Sequence, residues 1–107
     1  MSESDVTAQA LQTVAQELQL TRSQLQAVSA QVNEISLTIE ALSTQESSRP
    51  VFRAVGNLLL EVDDRIALTK ELEDSKSTFK IHADRLAERE SALVSQYEQM
   101  AKEFEAQ

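Results

Sequence analysis

The chain has no cysteine and no tryptophan, and only one glycine and one proline in 107 residues. Without cysteine there is no disulfide framework, no thiolate zinc site and no cysteine nucleophile, and a reducing, cytoplasmic setting is the expected one. Ordinary proteins carry roughly 7 % Gly and 5 % Pro, so turns must be scarce here and a many-looped globule is excluded. A lone glycine cannot build a phosphate-cradling loop. Cations are also few: 10 Lys and Arg against 18 Asp and Glu leave a net charge of −8. Phosphate backbones and anionic lipid surfaces call for clustered Lys and Arg, so neither nucleic acid nor a membrane is an expected partner. No apolar run reaches the ~18 residues of a membrane span. The first residues, Met1 to Asp5, show no basic segment followed by an apolar one, so no secretory leader is expected.

What is abundant is the vocabulary of long helices. Pro50 and Gly56 fall together near the middle and divide the chain into a first helical arm (4–46), a centre (47–63) and a second helical arm (64–106). In the first arm Leu11, Val14, Leu18, Thr21, Leu25, Val28, Val32, Ile35, Ile39 and Leu42 follow at alternating steps of three and four. That spacing averages 3.5 residues per turn and keeps one narrow apolar stripe against a partner helix. In the second arm Leu72, Phe79, Leu86, Leu93 and Met100 recur every seven residues. The companion column four residues on is weaker (Lys76, Ala83, Glu90, Tyr97, Phe104), as is the one three residues on (Ser75, His82, Arg89, Gln96). Ser2 or Ser4 is the expected N-cap of the first helix, and Asp63 or Asp64 that of the second. At 1.5 Å per residue, arms of ~40 residues are each about 60 Å long, and their equal length predicts an antiparallel two-helix coiled coil within one chain rather than a parallel homodimer.

The centre reads differently. Val51 to Val55, then Gly56–Asn57, then Leu58 to Val62 form a β-hairpin pattern around a two-residue primed turn, in which Gly56 supplies positive φ at the first central position and Asn57 tolerates it at the second. Pro50 is expected to push Arg49 out of helical geometry and close the first helix. Val51, Phe52, Val55, Leu58, Leu59, Leu60 and Val62 place apolar groups on both faces, and an isolated two-stranded hairpin is marginal in water. With both arm stripes used on each other, the hairpin is expected to pair with hairpins of other subunits.

Nothing here points to an enzyme. His82 is the single histidine and has no cysteine beside it, Ser47 and Ser48 have no base of their own, and Asp63–Asp64 reads as a helix cap. No catalytic, metal or cofactor site is expected. Arg49 and Arg53 make the centre locally basic and suit acids of a neighbouring subunit as well as they suit solvent.

Helix, β-hairpin and helix around V-F-R-A-V-G-N-L-L-L-E-V resemble a beta-type prefoldin subunit, with Phe52, Arg53, Val55–Gly56 and Leu58–Leu60 in the positions of that family's hairpin. The Asp63–Asp64 linker resembles the eukaryotic subunit 1 branch, although Phe52 stands where Tyr is more usual. The resemblance implies a mainly α fold in which the hairpin, with Gly56 at its turn, joins an intersubunit β-barrel. It also implies a hetero-hexamer of alpha-type and beta-type subunits acting as an ATP-independent co-chaperone. Such a complex holds non-native clients, actin and tubulin in eukaryotes, and delivers them to the cytosolic (group II) chaperonin. Client contacts are expected at the free arm ends, on Val6, Ala10, Leu11 and Val14 at one terminus and Tyr97, Met100 and Phe104 at the other. A tethering coiled coil that binds one specific partner helix is the alternative from a different class; it has no need of a two-faced apolar hairpin.

Overall fold

The computed structural model describes residues 6–107. Two long helices, α1 (Ala8–Thr44) and α2 (Arg65–Ala106), flank two strands, β1 (Phe52–Val55) and β2 (Leu58–Glu61). The helices pack along each other antiparallel, and the strands pair only with each other. The result is a rod of 73 × 25 × 16 Å. Its radius of gyration is 21.9 Å, against about 13 Å for a compact chain of this length. Its surface is 8265 Å², where a compact monomer of this mass exposes about 6,000 Å².

The α1 stripe lies where its spacing puts it. Every seam position from Leu11 to Leu42 is withdrawn from solvent, while the Gln-rich remainder of the helix, apart from Ala10 and Ser36, is exposed. On α2 the plus-four column is partly covered at Lys76, Ala83 and Glu90 and exposed at Tyr97 and Phe104, whereas the plus-three column is partly covered only at Ser75 and exposed at His82, Arg89 and Gln96. Two helices alone make a thin core. Among the described residues Val14, Leu86 and Leu93 are buried in it, no side chain is fully enclosed, and the most covered polar residue is Thr21 at 3 % exposure. Glu17–Arg89 (3.5 Å) and Arg22–Glu90 (3.9 Å) bridge the helices around Thr21. Their side chains are largely exposed, so they specify register more than they add stability.

The helix ends carry two corrections. The α1 N-cap is Thr7, whose hydroxyl accepts the Ala10 N–H at 3.0 Å. Ser2 and Ser4, the expected caps, lie outside the described residues, as do the first positions of the expected helix start. At the other end, Pro50 is not what stops α1. The helix closes at Thr44, where Ser43 and Thr44 turn their hydroxyls back onto the carbonyls of Glu40 (2.7 Å) and Ala41 (3.2 Å). Asp64 caps α2 as expected, accepting the Ala67 N–H at 3.0 Å.

Leu93 is 6 % exposed in this thin seam. Leu93→Ala is expected to cost about 2–4 kcal/mol in urea unfolding, because little neighbouring structure can close the cavity. Ile81→Ala, on the outer face of α2 and 54 % exposed, is expected to change stability by less than about 0.5 kcal/mol.

Candidate functional site

The hairpin is set by its turn. Gly56 has φ +60, and among the described residues no non-glycine residue has positive φ. Positive φ at the first central position alone is the pattern of a type II′ turn. Asn57 therefore does not use the left-handed region it would tolerate: the turn is of the primed kind that needs positive φ only at its glycine, which adopts it without strain. A Cβ on Gly56 would meet nothing within 4 Å, so Gly56→Ala acts through backbone strain alone. It is expected to destabilise the hairpin by about 1–2 kcal/mol, read as faster amide exchange at the cross-strand bonded Arg53 and Leu60.

The strand register pairs Phe52 with Glu61, Arg53 with Leu60, Ala54 with Leu59 and Val55 with Leu58. Beyond the strands, the Val62 N–H donates to the Val51 carbonyl at 2.8 Å. Alternation then sorts the side chains. One face carries Phe52, Ala54, Leu59 and Glu61; the other carries Val51, Arg53, Val55, Leu58, Leu60 and Val62. Both faces are apolar and both are open: Phe52 is 55 % exposed, Val55 49 %, Leu58 63 %, Leu59 72 % and Leu60 47 %. Only Val51 and Val62, at the base, are half-buried. The same register points the N–H and C=O groups of Phe52 and Ala54 out of one edge and those of Leu59 and Glu61 out of the other. Among the described residues these groups have no strand beside them.

The hairpin is joined to the arms by its linkers and by two arginines. Arg53 reaches Glu71 of α2 at 3.5 Å, and Arg65 donates to the Glu46 carbonyl at 3.1 Å. Ile66, beside the α2 cap, is 84 % exposed. It is an aliphatic that the sequence reading passed over, and its position off the Leu68–Leu72 seam was the available signal.

At the far end of the rod the expected client-contact residues divide. Val6 and Val14 are buried and Ala10, Leu11 and Met100 are half-buried, whereas Tyr97 and Phe104 are 37 % and 41 % exposed. Val6 and Gln107 are held together there. The Val6 N–H donates to Oε1 of Gln107 at 2.7 Å, and Nε2 of Gln107 donates to the Val6 carbonyl at 2.8 Å. No residue pattern signals that contact.

The model of one protein family, described as prefoldin subunit, matches residues 7–107. The chain belongs to that family. The prefoldin subunit beta of Thermoplasma volcanium is 30 % identical over 63 residues, which are 59 % of this chain and 51 % of that protein. The chain thus spans about half the length of this curated relative. Two crystal structures share the fold. The prefoldin beta subunit from Thermococcus strain KS-1 superposes with a TM-score of 0.80 at 18 % identity, over 95 % of this chain and 94 % of that one. The beta2 subunit from the same strain gives 0.75 at 22 % identity, over 86 % and 97 %. With one hairpin between two long helices, this prefoldin subunit has the architecture of the beta-type chains it matches. Prefoldin subunits are chaperone components. Among the described residues no helix is long and apolar enough to cross a membrane.

Proposed function

We infer that this prefoldin subunit, as one domain over residues 1–107, assembles with other alpha-type and beta-type prefoldin subunits into a hexamer. In it, the hairpins join an intersubunit β-barrel through Val51, Phe52, Val55, Gly56, Leu58, Leu59, Leu60 and Val62. The assembly is an ATP-independent co-chaperone of the cytoplasm, not an enzyme. It captures non-native, actin- or tubulin-like chains at its arm ends and passes them to a group II chaperonin. The observation that carries this reading is the hairpin, which leaves large aliphatics open on two faces and backbone groups open on two edges. A chain that merely tethers one partner helix gains nothing from such a hairpin and would carry it only as an aggregation hazard.

The rod geometry supports the capture role as well. Tyr97 and Phe104 lie at the end opposite the hairpin, so a platform built from hairpins leaves the arm ends clear. Glu98, Glu103 and Glu105 surround them and limit self-association of the exposed rings. The test is to purify the complex that forms around this chain and dilute a denatured protein into it without nucleotide. Suppressed aggregation, unchanged by added ATP, is expected. A complex that leaves aggregation untouched, or acts only with ATP, would contradict the reading.

A further inference from the structure

The Gln107 side chain occupies a site that has the form of a peptide-binding position. Its amide presents a donor and an acceptor side by side, as a peptide group does. Both are used on one residue, at 2.7 Å to the Val6 N–H and 2.8 Å from Nε2 to the Val6 carbonyl, and both bonds are partly buried. The backbone continues extended through Thr7 (φ −99, ψ 155) before α1 begins. Extended backbone with its N–H and C=O on one edge pairs equally well with a residue of another extended chain. The occupant is held lightly. Gln107 lies just past the end of α2, and its own N–H makes a long 3.4 Å bond to the Phe104 carbonyl. Beside it Phe104 and Tyr97 offer exposed rings.

We propose that the Val6 backbone is a docking position for one extended residue of a non-native polypeptide, and that the Gln107 amide is a built-in occupant which that polypeptide displaces. The proposal rests on the arm-end reading of client capture and adds its chemistry. Recognition is through N–H and C=O groups, which every polypeptide has, so it is indifferent to client sequence. Folded proteins are refused because their backbone groups are already paired. The pairing carries no net charge, so salt affects it little.

The test uses the assembled complex and a permanently unfolded chain, a reduced and carboxymethylated protein, as probe. Gln107→Ala removes both bonds without touching α2. Each bond is worth about fivefold in equilibrium, and an internal competitor lowers apparent affinity by the fraction of sites it fills. Probe affinity is therefore expected to rise several-fold, up to about tenfold. In the free variant the Val6 amide should exchange about tenfold faster than in the wild type, and bound probe should slow it again. Unchanged or weaker binding, or a Val6 amide that the probe does not protect, would overturn the proposal while leaving arm-end capture standing. If neither wild type nor variant binds the probe, the reading of client capture itself fails and the proposal with it.

Discussion

Leu59→Arg and, separately, Val55→Asp are each expected to release this subunit from the proposed hexamer without unfolding its arms. Leu59 and Val55 stand on opposite faces of the hairpin and are 72 % and 49 % exposed in the single chain. Burying such a side chain contributes about 1.5–3 kcal/mol. Putting a charge in its place replaces that gain with a desolvation penalty of several kcal/mol. The affinity of the subunit for its neighbours should fall at least a hundredfold in either variant. The strands do not pack on the helices, so circular dichroism should show unchanged helix content while light scattering shows the loss of mass. The pair of variants also separates two arrangements. If both dissociate the complex, neighbours cover both faces, so a barrel's outer wall is packed as well as its interior. If only one does, that face lines the interior and the other faces outward.

The opposite end of the rod should respond in the opposite way. Removing residues 1–14 and 97–107 is expected to leave the complex at its full mass and to abolish suppression of client aggregation. A milder change, Tyr97→Ser with Phe104→Ser, removes the two rings that are 37 % and 41 % exposed at that end and should weaken client binding about tenfold or more. Val6 and Val14 are buried, so in the proposed capture the aromatic side of the tip would make the first contact and the N-terminal side would join only when the end opens. Suppression that survives the deletion would place the client elsewhere, on the arm flanks or under the platform.

Much of this organisation was legible in the sequence because it rests on spacing. The alternating steps from Leu11 to Leu42 can serve only a helix–helix seam, and the structure covers those positions and few others on α1. Gly56–Asn57 between two apolar runs could be read as a hairpin because glycine supplies positive φ without strain. What the pattern could not give was geometry that depends on which atom wins a local competition. Asn57 tolerates left-handed backbone, yet the turn asks for it only at Gly56. Pro50 forbids helix at Arg49, yet the helix has already ended at Thr44. Contacts across the rod were hidden for another reason. Glu17–Arg89, Arg22–Glu90 and Val6–Gln107 join residues far apart in the chain. Their pairing follows from the register set by the linkers, which no periodicity encodes.

The account stands on the hairpin's need for company, and amide hydrogen exchange at four residues measures it most directly. The N–H groups of Phe52, Ala54, Leu59 and Glu61 point out of the two edges. In the assembled complex they should be protected to the same degree as the seam of the arms, and in the isolated chain they should exchange freely. Free exchange at all four inside a stable complex would mean that the hairpin is not what holds the subunits together.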